Sequence, residues 1–372
     1  MNIGIDAHVI GDKSGGNETY YKNLIQQICE VVTDEEIYLY FNGQKNSLMI
    51  KDNNKSNINR RNFKTHSAIK RNISYLPGYV QKDKLDLIHL QYFPIINKKC
   101  SIVGTIHDIS FEHYPGYFTK KSLLLSKVLI PKMAKQADKI LTVSNFSKQD
   151  IADRYNINPE KIIVTHLAAS ENFKVIKDHD LLEKVKNKFE INGDFILTVG
   201  NLQPRKNLSR LFTAYINMRD KKLIDEKLVV VGKKAWLFSD IFKFAYESKY
   251  RNDIIFTDYV EEKDLALLYN KAKIFVYPSV FEGFGLPPLE AMSCGAPVIT
   301  SNVTSIPEVT GDAAILFDPW SVEDIEEKIV NTINNKELCC KLSELGIKRA
   351  AAFSWRRTAQ KTLKVYKELI GN

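Results

Sequence analysis

No apolar run in this chain approaches the roughly 18 residues that a membrane-spanning helix requires. The first strand-like segment already ends on Asp6, which is not the pattern of a secretory leader. Cysteine is scarce and odd in number: five residues, none in a Cys-x-x-Cys pair, with Cys339 and Cys340 adjacent on a predicted helix. A disulfide framework and a zinc site are therefore not expected, and a reducing cytoplasm is the simpler setting. Glycine (17) and proline (12) are too few and too irregular for a collagen-like or low-complexity chain. What remains is the composition of an ordinary soluble globular protein. Its 372 residues suggest two domains at roughly 150 residues each.

The formal charge of +9 is unevenly spread. Residues 1–175 hold 24 Lys and Arg against 17 Asp and Glu, whereas residues 176–372 hold 29 against 27. The excess concentrates over 45–84. There Lys45, Lys51, Lys55, Arg60, Arg61, Lys64, Lys70, Arg71, Lys82 and Lys84 are offset only by Asp52 and Asp83. Such a stretch suits an anionic membrane face or, equally, a solvated surface. It lacks the aromatic platform expected for single strands and any recognised binding motif, so nucleic acid is not an expected partner.

Strand, loop and helix alternate along the chain, the pattern of a parallel sheet covered by helices. Asn2–Asp6, Ile37–Phe41, Leu85–His89, Ser101–Ile106, Lys139–Val143 and Lys161–Thr165 read as strands. Glu18 to Val32 reads as a helix with Tyr21, Leu24, Ile25 and Ile28 on one face. Ser144 suits the cap of a helix beginning near Phe146. Residues 168–192 are polar and read as a linker. A second series of strands then runs Phe195–Val199, Leu228–Val231, Ile254–Phe256, Ile274–Tyr277 and Val298–Thr300, with Asn207 placed to cap a helix. The expectation is an α/β chain of two doubly wound, Rossmann-like halves, 1–170 and 171–354. Ligands would sit at the carboxyl ends of the strands, in a cleft between the halves.

Four segments carry residue types suited to chemistry. In Val280-Phe-Glu-Gly-Phe-Gly-Leu-Pro-Pro-Leu-Glu-Ala-Met, Gly283 and Gly285 admit a ligand close to the backbone. Pro288 suits a first helical turn, so that N–H groups near Phe284, Gly285 and Leu286 would meet an anion. Glu282 precedes this loop, and Glu290 is expected in the first turn of the helix. In Gly200-Asn-Leu-Gln-Pro-Arg-Lys-Asn, Arg205 and Lys206 suit neutralisation of a diphosphate. Gly11-Asp-Lys-Ser-Gly-Gly-Asn offers Gly15 and Gly16 but not the Gly-x-Gly-x-x-Gly dinucleotide fingerprint, which argues against an NAD enzyme. In Thr105-Ile-His-Asp, His107 follows a strand and can donate to or accept from a sugar hydroxyl. Asp178-His-Asp180 lies in the polar linker rather than after a strand, so a metal role is not expected.

The spacing of Glu282 and Glu290 within Glu-Gly-Phe-Gly-Leu-Pro-Pro-Leu-Glu resembles the double-glutamate signature of the retaining glycosyltransferases of family 4. The resemblance runs over essentially the whole chain. It implies the GT-B fold: two Rossmann-like doubly wound domains facing across a cleft, with a C-terminal helix (355–372) returning to the N-terminal, acceptor-side domain. It assigns Glu290 to the nucleotide ribose, Glu282 and His107 to the donor sugar, and Arg205 and Lys206 to the diphosphate. Gly15 and Gly16 would meet that diphosphate too. Asn201 stands where many members have arginine, Gly232 and Lys233 lie near the phosphates, and Tyr259 and Val260 near the base. Ser144 resembles a serine close to the active site.

The implied activity is metal-independent transfer of a hexose from a GDP- or UDP-linked nucleotide sugar, with no cofactor. The acceptor would be a saccharide or a lipid-linked oligosaccharide. The motifs look most similar to those of polysaccharide and O-antigen mannosyltransferases, so GDP-mannose is the first expected donor and a UDP-hexose the second. A cytoplasmic location follows, with the stretch 45–84 docking on the inner membrane face. A non-catalytic subunit that only binds nucleotide sugar is the competing class, and intact Glu282, Glu290 and Lys206 argue against it.

Overall fold

A computed structural model describes residues 1–12, 15–51, 55–64, 67–233, 245 and 247–371. Of the residues singled out above, Lys13, Ser14 and Asp52 lie outside the described residues, as does the side chain of Lys45. The chain divides into two compact units. One comprises Met1–His113, Lys120–Leu167 and Ser354–Asn372; the other comprises Tyr114–Thr119 and Ala168–Phe353.

The N-terminal unit is built on strands β1 (Asn2–Asp6), β2 (Glu36–Phe41), β3 (Ile58–Asn62), β4 (Leu87–Gln91), β5 (Ser101–Thr105), β6 (Lys139–Thr142) and β7 (Ile162–Val164). All pair in parallel, in the order β3-β2-β1-β4-β5-β6-β7. Its longer helices are α1 (Gly16–Val31), α2 (Leu76–Lys82), α3 (Lys120–Gln136) and α4 (Asn145–Tyr155). The C-terminal unit holds β8 (Phe195–Val199), β9 (Lys227–Val231), β10 (Ile254–Asp258), β11 (Ile274–Tyr277), β12 (Val298–Ser301) and β13 (Ala314–Phe317), in the parallel order β10-β9-β8-β11-β12-β13. Its longer helices are α5 (His179–Lys188), α6 (Leu208–Asp220), α7 (Glu262–Lys271), α8 (Leu286–Ser293), α9 (Val322–Ile333) and α10 (Lys336–Ala350). The last helix, α11 (Trp355–Ile370), belongs to the N-terminal unit and packs on α1. Among the described residues no helix is long and apolar enough to cross a membrane.

The strands form because their apolar runs are covered on both faces, as a parallel sheet demands. Every residue of β4 and β11 is buried. α11 places Trp355, Ala359, Leu363 and Tyr366 inward. Each large side chain of that kind contributes roughly 1.5–3 kcal/mol on burial. In each sheet the strand order reverses once, between β1 and β4 and between β8 and β11. Ligand sites of doubly wound sheets form at the carboxyl ends of the strands flanking such a reversal.

Several expectations are corrected. Residues 168–192 are not a bare linker but carry α5. Asp178 caps that helix, accepting from Asp180 N and Leu181 N, which accounts for the Asp-His-Asp pattern. β3 and β13 were not expected. β3 reads Ile-Asn-Arg-Arg-Asn and is a half-buried edge strand without an apolar run. Arg60 and Arg61 of the basic stretch sit in it and are used internally. Arg60 donates to Ser47 O and Ile50 O, and Arg61 pairs with Asp83 and lies over Tyr38. Lys55 donates to Glu30 O and Val32 O, and buried Arg71 approaches Asp6. Much of that charge is therefore spent holding the unit together.

Candidate active site

Gly200 to Lys206 follow β8, and Pro278 to Glu282 follow β11, so the strand reversal places these two loops side by side. Their side chains meet at Glu282. Its Oε1 accepts from Lys206 Nζ at 2.6 Å, Ser279 Oγ at 2.5 Å and Tyr277 Oη at 2.9 Å, and lies 2.9 Å from Arg205 Nη1. Lys206 Nζ also donates to Tyr277 Oη at 2.6 Å. Glu282 N donates to Thr304 Oγ1 at 3.1 Å, and Arg205 donates to Phe281 O. Among the described residues, four side-chain partners converge on Oε1 and none bonds Oε2. Burial opposes ionisation of Glu282, but Arg205 and then Lys206 overcome it and hold the carboxyl down to about 2. The group is a carboxylate at any physiological pH, and it compensates one of the two cations beside it, leaving the cluster with a net positive charge.

The backbone around Lys206 is shaped for close approach. An added Cβ on Gly232 would lie 2.0 Å from Gly200 O. Gly200 N donates to Val231 O, Leu202 N to Lys233 O and Gly232 N to Asp258 O, which knits the loops after β8, β9 and β10 together. Lys233 Nζ stands 4.8 Å from the exposed ring of Tyr259, next to buried Val260. Asn201 is exposed on the same loop. The structure thus brings Asn201, Gly232, Lys233, Tyr259 and Val260 along one edge of the C-terminal sheet, beside Arg205, Lys206 and Glu282.

Gly285 caps α8 at φ +109, where an added Cβ would meet Ile306 at 2.7 Å. Pro287 and Pro288 then lack N–H groups, so Leu286 supplies the first-turn donor and Gly283, Phe284 and Gly285 form the preceding loop. Glu290 lies in the second turn of α8, one turn later than expected. It is half-buried and accepts from Tyr269 Oη at 3.2 Å. Burial raises its carboxyl to about 8, the Tyr269 bond only partly offsetting it. The two glutamates of the motif therefore carry opposite protonation states near neutral pH.

Asn207 does not cap α6 with its side chain. It takes a left-handed conformation (φ 55), and its Nδ2 donates to Pro278 O and Pro319 O, tying the two loops. Composition gave no hint of this role, nor of Tyr277, Ser279 and Thr304 around Glu282. Their positions at and just beyond the carboxyl ends of β11 and β12 were the available signal.

In the N-terminal unit His107 follows β5 and is buried against the rings of Tyr20 (4.6 Å) and Tyr92 (5.7 Å). Neither ring nitrogen has a hydrogen-bond partner among the described residues. Burial lowers its pKa to about 4, with Asp108 opposing weakly, so the imidazole is neutral. Asp108 bonds Ser110 N instead. Gly15 caps α1 with φ 72, and a Cβ on Gly16 would meet nothing within 4 Å. Ser144 is the side-chain cap of α4, accepting from Ser147 N.

Two family descriptions match the chain: glycosyltransferase family 4 over residues 14–169 and glycosyl transferases group 1 over 182–349. O-antigen chain mannosyltransferase B of Escherichia coli is 34% identical over 268 residues, 72% of this chain and 70% of that protein. The serotype-specific mannosyltransferase WbdA of the same organism is 32% identical over 285 residues, 74% of this chain but only 34% of that longer protein. Among solved structures, the sucrose-phosphate synthase of Thermosynechococcus elongatus superposes with a TM-score of 0.76 at 16% identity, covering 100% of this chain and 99% of that one. HepE of Anabaena, solved in complex with UDP-glucose, does so with 0.76 at 17% identity, covering 99% and 100%. The fold is GT-B, and the chain belongs to glycosyltransferase family 4.

Proposed function

We propose that this glycosyltransferase moves mannose from GDP-mannose to a saccharide or lipid-linked oligosaccharide, with retention at the anomeric carbon, in the synthesis of a surface polysaccharide. The observation that carries the reading is the Lys206–Glu282–Arg205 cluster at the strand reversal, with Lys206 and Glu282 buried and Arg205 partly so, in a chain whose relatives include O-antigen mannosyltransferases. Glu282 Oε2 suits a donor-sugar hydroxyl, and Glu290 a ribose hydroxyl. As the bond from the anomeric carbon to the diphosphate oxygen breaks, Arg205, Lys206 and Leu286 N–H meet the developing charge. The acceptor oxygen bonds the same face of that carbon, and its proton passes to the departing diphosphate. Protein cations supply the positive charge, so no divalent metal is required. Neutral His107 takes a sugar hydroxyl through its unpartnered nitrogens.

The test is a donor screen with GDP-mannose, UDP-glucose, UDP-galactose and UDP-N-acetylglucosamine, with and without EDTA. It reads nucleoside diphosphate release and protection against thermal unfolding. EDTA-resistant release from GDP-mannose is the expected result. Response to a UDP-hexose alone would replace the donor and keep the class; the neighbour HepE, solved with UDP-glucose, makes that the second reading. Donor binding without turnover on any acceptor would favour a binding subunit.

A further inference from the structure

Two short turns bring three aromatic rings together beside the loop of Glu282. Tyr114-Pro-Gly-Tyr117 is one, closed by Tyr117 N donating to Tyr114 O, and the segment Tyr114–Thr119 belongs to the C-terminal unit. Asp318-Pro-Trp-Ser321 is the other, joining β13 to α9 and closed by Ser321 N donating to Asp318 O. Proline and small polar residues are what such turns call for, and neither needs an aromatic side chain to form. The rings converge nonetheless. Tyr114 and Tyr117 are parallel to within 6° at 5.4 Å, and Tyr114 and Trp320 to within 28° at 6.4 Å. Tyr114 also meets the buried ring of Phe281, one residue before Glu282, edge to face at 6.0 Å. Centroid separations of this size are those of offset rings, which cover each other only in part. Trp320 accordingly stays 44% exposed, and Tyr114 and Tyr117 are half-buried. The wall is also fixed in place. The Arg210 guanidinium of α6 lies over the indole at 4.8 Å, and its Nη1 donates to Asn207 Oδ1 at 2.9 Å. Asn207 Nδ2 in turn holds the carbonyls of Pro278 and Pro319, so Trp320 is tied to the loop that carries Glu282.

We infer that Tyr114, Tyr117 and Trp320 form a subsite for a sugar residue of the acceptor, held by the apolar C–H face of its pyranose ring. This subsite rests on the saccharide acceptor proposed above. The C–H hydrogens of that face are weakly positive and meet the negative face of an aromatic ring, while the hydroxyls at the rim stay open to water, Arg210 and Asp318. The position in the sheet agrees. β10 lies at one edge and β13 at the other. With the base beside Tyr259 and the diphosphate at Lys206, the nucleotide runs from the β10 edge to the loop after β8. Trp320 follows β13, two strands beyond the loop of Glu282 and on the side away from the nucleotide. A nucleobase is therefore a poor occupant of these rings. A protein partner is as poorly served, because three rings fall short of the roughly 800 Å² per partner of a stable interface.

The experiment is titration of the full chain with mannotriose, maltotriose and chitotriose in the absence of donor, read by tryptophan fluorescence and saturation-transfer NMR. At least one trisaccharide should bind, and its binding should survive high salt because the contact carries no charge pair. Trp320→Ala should weaken that binding by about tenfold, the scale of one aromatic contact, with the melting temperature little changed at this exposed position. Trp320→Phe should recover most of the loss, as a contact made through the ring requires. In transfer from the preferred donor, Trp320→Ala should raise the acceptor KM by about tenfold and leave the donor KM unchanged. Three results would overturn the inference: none of the three trisaccharides binds, Trp320→Ala binds as tightly as the wild type, or GDP or UDP competes for the same rings. Trisaccharide binding lost in Trp320→Ala, without turnover of any donor, would keep the subsite and remove the transfer reading. Turnover with an unaltered acceptor KM in Trp320→Ala would do the reverse.

Discussion

Lys206 Nζ lies 2.6 Å from Glu282 Oε1, and the pair joins the loop after β8 to the loop after β11. The contact has two consequences that separate in experiment. Glu282→Gln removes the anion from between two cations, and leaving a buried charge uncompensated costs about 3–5 kcal/mol. Lys206→Ala leaves Glu282 with Arg205, Tyr277 and Ser279, so the melting temperature should fall less. Both should lower transfer by about a hundredfold or more, the scale of removing one electrostatic stabiliser. A nucleoside diphosphate should restore stability to Glu282→Gln more than to the wild type, because it resupplies negative charge to Lys206 and Arg205. Thermal shift with and without GDP or UDP checks the order; wild-type rates in either variant would sink the role given to that residue.

The parts of this site that the sequence made legible are those set by backbone chemistry. Gly285, Pro287 and Pro288 announce a turn into a helix, and Ile274–Tyr277 is an unbroken apolar run, so the loop holding Glu282 was placed correctly. What the sequence hid depends on contacts between distant segments. Asn207 looks like a cap because asparagine usually is one, yet its amide is consumed by carbonyls of Pro278 and Pro319. β3 was missed because an edge strand with two arginines shows no period-2 apolar pattern. The basic stretch looked like one surface because charge counts do not tell which guanidinium groups end on backbone carbonyls.

Gly232→Ala tests the knitted loops. Its Cβ would stand 2.0 Å from Gly200 O, so the loops after β8 and β9 must part. Backbone strain of that kind costs about 1–3 kcal/mol. The expected outcome is a melting temperature several degrees lower and weaker nucleotide binding, since the same shift displaces Lys206 and Lys233. Calorimetric titration with the preferred nucleotide measures it. Gly16→Ala, where the added Cβ meets open space, should leave stability unchanged.

Tyr366 on α11 reaches His89 Nδ1 at 2.5 Å, while His89 Nε2 meets Thr105 Oγ1 at 2.6 Å. Both ring nitrogens of this fully buried histidine are therefore used. Tyr366→Phe strands one of them, and a buried unsatisfied polar atom costs about 1–3 kcal/mol. The loss should appear as faster hydrogen exchange in α1, β4 and α11. Exchange in the C-terminal unit should not change. Uniform loss of protection across both units would contradict this placement.

The pH dependence of stability should differ between the two units. Burial holds His89 at about 3, with a small further push from His107, and burial likewise holds His107 at about 4; both are neutral when folded, whereas their unfolded forms protonate below about 6.5. The unfolded state then binds more protons, so the N-terminal unit loses stability as pH falls from 6.5, by about 1.4 kcal/mol per pH unit for each histidine. Glu290 acts the other way. Folded, it keeps its proton up to about 8; unfolded, it loses it near 4.5, so the C-terminal unit loses stability as pH rises between those values. Glu282, held at about 2, stabilises that unit above 4.5 and ceases to do so only as pH falls toward 2. Between pH 5 and 6.5 raising the pH should therefore strengthen amide protection in the N-terminal unit and weaken it in the C-terminal one. Glu290→Gln should flatten only the second slope, and hydrogen exchange at three pH values would show it. Parallel slopes in both units would mean that burial does not set these protonation states.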